Sequence, residues 1–599
     1  MVGRAQKQLS KDEAKKRPAD KYFFQVGNNY VIPGTSIKGM LRNVMEMMSQ
    51  SQLNPVSDKV IFWRNITGGS SNDRGRGRNT GRNQPESENT KLYKSHFGSK
   101  ALGGYLKKNG SEYSLFTSGK EIVHADSKPK VKQGEDGLYW TCAIPHPGVT
   151  DRNGRSVSFH HGYKFDPVDQ CRHELEVDAR TARYFIGQMS DAAKKMWRDE
   201  EKKLSRGGAR VFYTVQGGNP DLIEYLGTAR YFRIPYQHTP RDLTLEQGRI
   251  KGSFVEDNDF VLNLFGLVGK NKSKEDVTRR GRIAVGQCVL KGKPWKNPGG
   301  DEGFNAILNG PKPSCVQHYL RQQVAGDVTW NGKNDLDVLN NYDYDKQKYQ
   351  EYARSGRSSG LTREEYSRGR LRGFKYYWHR DHMECWNELN DKYEEERKKA
   401  GQLDRRGNKQ ESNFSTWSCL HPLEEGAAGS FEIRVDRLSK AELGAVLEAL
   451  LLGELPGGAH YHRMGMGRPL GLGAVEIKIS DVRVNRGRQL YGSLIGRGTS
   501  SLSMSDEEMK DCRLQFYKEV LKTAGFKEDD LNSLDFEQAR QKFLRTEWMR
   551  ALSAMSNFDR KPDYEATVYM GIKFDKKYPD RPLFKDRPIL PDAVQVVNG

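Results

Sequence analysis

Between Phe431 and Ile479 the chain carries the pattern that most restricts its fold. Phe431-Glu-Ile-Arg-Val-Asp-Arg-Leu alternates apolar and polar residues, the period of a strand with one buried face. Ser439 and Glu442 then form a capping box, and Leu443, Val446, Leu447 and Leu450 line one side of the helix that follows. A glycine-rich turn leads into Gly473-Ala-Val-Glu-Ile-Lys-Ile, which alternates again. The order is strand, helix, glycine-rich loop, strand.

A matching unit lies near the front. Tyr22 to Ile32 reads as a strand, a Gly-Asn-Asn turn and a second short strand. Pro33-Gly34 breaks it, and Thr35 or Ser36 offers an N-cap for a helix to about Met48, striped by Ile37, Leu41, Val44 and Met48. Together the two units predict an α+β, RRM-like (ferredoxin-like) core with everything between them as insertion. The composition agrees, since 35% hydrophobic residues in 599 make a small core for the length. The expected division is a charged segment 1–20, core 21–63, an insertion 64–225, a core-associated segment 226–320, a polar insertion 321–370, core 371–485 and a helical C-terminal extension 486–599. The first insertion opens with an Arg/Gly loop, Arg64 to Arg82, and continues β-rich. The extension holds a capped helix near Ser505 to Ala524, a second from about Asp535 to Ser553, and a Pro-rich tail.

The charge balance, 98 Lys+Arg against 78 Asp+Glu for a net +20, points to a polyanionic partner, nucleic acid first. An anionic membrane is a poor second, because no basic amphipathic helix stands out. The longest apolar stretch, Ala445 to Leu452, is too short to span a bilayer, and Met1 to Lys21 has no apolar segment of a signal peptide. Seven cysteines occur singly, with no Cys-x-x-Cys pair. These features predict a reduced cytoplasmic protein rather than a secreted or membrane one.

Two strings carry the strongest binding signals. In Tyr30-Val-Ile-Pro-Gly-Thr-Ser-Ile-Lys-Gly-Met-Leu-Arg, a helix N-terminus at Thr35 and Ser36 offers backbone N–H groups to an anion, and Lys38 and Arg42 share one helix face. In His460-Tyr-His-Arg-Met-Gly-Met-Gly-Arg-Pro-Leu-Gly-Leu-Gly, the glycines, Gly465 and Gly467 among them, let the backbone approach a ligand, and His462, Arg463 and Arg468 are polar or charged. The same strings also suit an ordinary strand–helix corner and a structural hairpin. Neither matches a P-loop or a dinucleotide fingerprint, so an NTPase is excluded. Arg354 to Arg380 holds eight basic residues, two acidic ones and five aromatics, a mixture suited to single-stranded RNA. Arg372 and Lys375 are its candidate RNA contacts; Tyr377 and Trp378 are equally candidates for core. Cys142, His146, His160, His161, Cys171 and His173 lie close in sequence but match no standard finger, and a structural Zn2+ is not expected there.

Taken together, Val31-Ile-Pro-Gly-Thr-Ser-Ile-Lys-Gly-Met-Leu-Arg and Met464-Gly-Met-Gly-Arg-Pro-Leu-Gly-Leu-Gly resemble the RAMP superfamily of CRISPR-associated proteins. Asn263-Leu-Phe-Gly with Gly281-Arg-Ile-Ala-Val, Gly310-Pro-Lys-Pro-Ser, and Leu371-Arg-Gly-Phe-Lys-Tyr-Tyr-Trp-His resemble further segments of its large, insertion-bearing members, in the same order over about residues 20–480. The resemblance implies an RRM-like core that binds guide RNA as a backbone subunit of a type III effector complex in antiviral defence. Its implied partners are target single-stranded RNA, other RAMP subunits and a large signalling subunit. It also implies that Asp20 matches the aspartate with which target-slicing members cut RNA, with Mg2+ as the ion; the bland alternative is a solvated acid in a charged tip. The family's apolar first strand is missing before Asp20, and the alternating run Thr567 to Phe574 is a candidate to replace it. A rival reading is a metal-independent ribonuclease that processes guide precursors, with His379, His382, His460 or His462 as base.

Overall fold

A single proline separates strand from helix at the front of the chain. Strands β1 (Ala19–Tyr22), β2 (Gln25–Val26) and β3 (Asn29–Ile32) lead to Pro33, whose extended backbone stands at the N-cap of helix α1 (Gly34–Met48). No side chain caps this helix, so the expected Thr35 or Ser36 cap is not formed; the proline corner puts the N-cap at Pro33, two residues before Thr35. The predicted stripe Ile37, Leu41, Val44 and Met48 is buried, with Met40, Met45 and Met47 beside it. Position 34 must be glycine for space: a Cβ there would stand 2.0 Å from the Val285 carbonyl oxygen. The computed structural model describes chiefly residues within 16–52, 102–125, 161–235, 259–308, 373–399, 412–484 and 502–567. The Arg64–Arg82 loop, the stretch 322–369 and residues 568–574 lie outside the described residues.

The first insertion contains its own unit. Strands β4 (Leu102–Asn109), β5 (Glu112–Thr117) and β6 (His173–Val177), helix α2 (Ala179–Gly187), and strands β7 (Ala209–Val215) and β8 (Ile223–Gly227) form an antiparallel sheet of order β6-β5-β4-β7-β8. Leu106, Leu115, Val177, Phe185 and Val211 make a core separate from the main one.

The main unit continues with helix α3 (Phe260–Phe265), strands β9 (Ile283–Val285), β10 (Cys288–Lys291) and β11 (Phe304–Ile307), and helix α4 (His382–Lys399). Strands β12 (Trp417–His421), β13 (Ala428–Ser430) and β14 (Ile433–Val435) precede helix α5 (Lys440–Leu450), which begins at the predicted Ser439–Glu442 capping box. The hairpin β15 (His462–Arg463) and β16 (Ala474–Val475) follows, then helices α6 (Asp506–Thr523), α7 (Phe536–Leu544) and α8 (Glu547–Ser556). The protein is thus mixed α+β. One antiparallel sheet runs β2-β3-β10-β13, β9 pairs with β14, and a third sheet runs β1-β12-β11 with β1 parallel to β12. Asp20 therefore sits on a strand rather than in the charged tip.

Two further expectations change. The predicted second C-terminal helix is two, because the chain turns at Arg545-Thr546 between α7 and α8. Of the predicted strand Gly473 to Ile479, only Ala474 and Val475 are paired. Residues Glu476 to Ser480 still alternate in burial, with Ile477 and Ile479 against the core, yet their backbone has no hydrogen-bond partner among the described residues.

The C-terminal helices are built into the main core rather than appended to it. Ile37, Leu41, Val44, Val261, Leu264, Ala445, Val446, Phe516, Tyr517, Phe543 and Met549 pack in one cluster. Arg282 ties three segments at its edge, donating to the carbonyls of Asn263 and Arg437 and pairing with Glu442 of the capping box. Trp548 Nε1 donates to the Met48 carbonyl at the end of α1, at 3.1 Å. Between α5 and α6, buried Glu448 accepts from Arg513 Nε at 2.7 Å and from the Tyr517 hydroxyl at 2.6 Å. Removing one member of such a cluster leaves a desolvated charge. Glu448→Ala is expected to destabilise the protein by about 3–5 kcal/mol in denaturant unfolding; a loss below about 1 kcal/mol would show that the cluster does not hold α5 to α6.

Candidate nucleic-acid interface

The glycine-rich hairpin is organised around a cation it hides. Arg463 is 2% exposed, and no carboxylate among the described residues faces it. Its Nη2 donates to the Arg468 carbonyl at 2.5 Å, its Nη1 to the Gly471 carbonyl at 3.4 Å, and Nη1 also meets His379 Nδ1 at 3.3 Å. A guanidinium there can only donate, so His379 Nδ1 accepts and its Nε2 donates to the Tyr461 carbonyl. Burial pulls Arg463 down to about 10. Gly471 adopts φ +82°, and a Cβ there would meet the Arg380 carbonyl oxygen at 2.5 Å. The hairpin and the segment Tyr376 to Arg380 are thereby locked together.

That lock presents charge and ring on one surface. Lys375 Nζ lies 4.8 Å and Arg468 Cζ 5.1 Å from the centre of the Tyr377 ring. Lys375 is exposed, Tyr377 and Arg468 half-buried, and Arg468 Nε has no hydrogen-bond partner among the described residues. Asn43 of α1 reaches the Lys375 carbonyl at 3.5 Å, which sets the helix beside this stack. Thr35 is exposed and Ser36, Lys38 and Arg42 half-buried. Lys38 donates to the Ile283 carbonyl at 2.8 Å and lies over Phe265, while Arg42 pairs with Glu46.

Of the predicted RNA contacts, Lys375 and Arg468 meet at the Tyr377 ring, Thr35 is exposed and Ser36 half-buried on α1, and Lys38 and Arg42 are half-buried with partners of their own. His462 and Arg463 are buried: their side chains are 1% and 2% exposed and make internal hydrogen bonds. Gly465 serves the hairpin at φ +89°, and Gly467 is buried. Arg372 lies outside the described residues. His379 and His460, candidates for a catalytic base, are each 1% exposed, and His460 bonds to Ser556. Arg282 was not singled out from the sequence, although the basic residue inside a strand string was the available signal.

Asp20 has a different setting. Its Oδ2 accepts from Arg17 at 3.0 Å, and its Oδ1 lies 3.2 Å from His421 Nε2. Tyr22 stacks on the His421 ring at 4.1 Å. Cys419 is the lateral partner of Asp20 in the sheet; burial, then the nearby Asp20 charge, push its thiol up to about 11. Asp20, Cys419 and His421 are the one group of three potential metal ligands among the described residues. Mg2+ takes oxygen ligands, and only the carboxylate supplies one, so the trio does not fit that ion. Of the cysteine–histidine stretch, Cys142, His146 and His160 lie outside the described residues.

No protein-family model matches the chain, and no curated protein matches it in sequence. Among the described residues no helix is long and apolar enough to cross a membrane.

The buried histidines give the lock a pH signature. Burial lowers His462 from 6.5 to about 4, and burial with the Arg463 charge lowers His379 to about 3. Below pH 6.5 the unfolded chain takes up protons that the folded chain refuses until those lower values. Stability is therefore full above 6.5 and falls as pH drops through that window, by up to roughly 1.4 kcal/mol per pH unit for each histidine. Denaturant midpoints should decline from about pH 6.5 to about pH 5, and less so in His462→Gln. A flat profile in the wild type would contradict the buried, neutral state.

Proposed function

We propose that this chain is a guide-RNA-binding backbone subunit of a type III CRISPR RNA-targeting ribonucleoprotein. The observation that carries the reading is the Lys375–Tyr377–Arg468 stack set beside helix α1. Single-stranded RNA is bound by cations that follow its phosphates and rings that stack on its bases, and this surface supplies both. The uncapped N-terminus of α1, with no acidic residue in its first turn, adds a positive dipole end beside Lys38 and Arg42. The strings that resemble RAMP proteins are also coupled in pairs. Gly34 abuts Val285, Arg282 bonds to Asn263, and Gly471 abuts Arg380. On this reading β3, α1, β9, β14 and α5 form an RRM-like RAMP core. The same reading gives the neighbours: the open backbone of Glu476 to Ser480 suits edge pairing with another RAMP subunit, with target RNA and a large signalling subunit completing the assembly.

A second reading, cleavage of the target RNA, is favoured by the Asp20–His421 contact, which pairs an acid–base group with a carboxylate that orients it. Precursor processing draws less support, since His379, His460 and His462 are buried and only His382 of its four candidates is half-exposed.

Fluorescence anisotropy with single-stranded RNA tests the main reading. Tyr377→Ala is expected to weaken binding by about 1–3 kcal/mol. Lys375→Ala should weaken it across sequences and flatten the slope of log K against log salt by about 0.7. Unchanged binding in both variants would remove this surface from the RNA path. In the assembled complex, Asp20→Ala should abolish one cleavage product if the subunit cuts and leave the pattern intact if it only holds the guide.

A further inference from the structure

Sheet β1-β12-β11 has two unlike faces. Phe304, Ala306 and Leu420 turn one way into a small apolar core with Cys385. Neighbours along a strand alternate, and the register pairs Asp20 with Cys419 and Tyr22 with His421. A carboxylate, a thiol and an imidazole thus stand together on the opposite face.

Their geometry is close to that of a coordination shell. One potential ligand atom from each of Asp20, Cys419 and His421 lies within 4.8 Å of the other two. Around a tetrahedral ion with metal–nitrogen or metal–oxygen bonds of about 2.0 Å and a metal–sulfur bond of about 2.3 Å, ligand atoms stand about 3.3–3.6 Å apart. Asp20 Oδ1 and His421 Nε2 stand just inside that separation, at 3.2 Å. Arg17 occupies Oδ2, which fixes the carboxylate and leaves Oδ1 turned to the imidazole. Gly303 makes room for the sulfur: at φ +130°, a Cβ would stand 2.6 Å from Cys419 Sγ. The Asp20 side chain is 31% exposed and Tyr22 46%, so an ion can enter from the rim.

We propose that Asp20, Cys419 and His421 form a three-ligand site for a thiophilic divalent transition metal, represented by Zn2+, with the fourth position open to solvent. Sulfur and imidazole nitrogen select such an ion over Mg2+. On binding, the Cys419 S–H bond is exchanged for a sulfur–metal bond and the proton leaves to solvent. The site shares no residue with the Lys375–Tyr377–Arg468 stack and does not rest on the RNA reading.

The test is a Co2+ titration of the purified full-length chain, followed by absorption. The expected result is saturation at about one equivalent, with a thiolate-to-cobalt charge-transfer band and intense tetrahedral d–d bands. Zn2+ should displace the Co2+, and a large excess of Mg2+ should not. Cys419→Ser should abolish the charge-transfer band, and Asp20→Asn should weaken Zn2+ binding at least about tenfold. The comparison with Cys419→Ser is needed because six other cysteines could bind cobalt. Both variants are read alongside circular dichroism; if Cys419→Ser unfolds, the near-isosteric Asp20→Asn decides. No band in the wild type, a band retained in folded Cys419→Ser, unchanged affinity in Asp20→Asn, or displacement by Mg2+ would each overturn the proposal.

Discussion

The candidate interface depends on one buried cation. Arg463 has no acidic partner among the described residues and is held by the carbonyls of Arg468 and Gly471 and by His379. Leaving a guanidinium unbonded in that position would cost several kcal/mol, so its donors fix the hairpin path and the Tyr376–Arg380 segment together. Arg468 and Lys375 then fall beside Tyr377 without either being buried for its own sake. Charge inside the protein positions charge on its surface.

That surface is supported by an apolar core that gathers distant parts of the chain. Helix α1, near the start, packs with α5, α6, α7 and α8, so the C-terminal helices brace the element closest to the stack. The Glu448–Arg513–Tyr517 cluster and the Trp548 bond to Met48 add polar fastenings to that packing. The five-stranded insertion keeps its own core and leaves the main one undisturbed.

What was legible in the sequence was local. The capping box at Ser439, the capped helix near Ser505 and the stripe of α1 depend on residues a turn apart, and each formed as expected. The short apolar run Phe260 to Phe265 proved helical, because a run of that length carries no period to separate helix from strand. Pairing across the chain was not legible: β1 lies beside β12 some four hundred residues away, a register that no spacing announces. The same limit governs the site. The Arg354–Arg380 composition led to Lys375 and Tyr377, whereas His462 and Arg463 looked like surface groups because nothing local signals a buried arginine. Asp20 drew attention through a resemblance, but Cys419 and His421 come to it only through the sheet.

If RNA runs over the stack of Lys375, Tyr377 and Arg468 beside α1, ultraviolet crosslinking of the full-length chain to single-stranded RNA, with the modified peptides identified by mass spectrometry, will mark it. Crosslinks are expected in the peptide bearing Tyr377 and in the peptide spanning Thr35 to Arg42. Crosslinks confined to the five-stranded insertion or the C-terminal helices, with both of those peptides unmodified, would contradict that path.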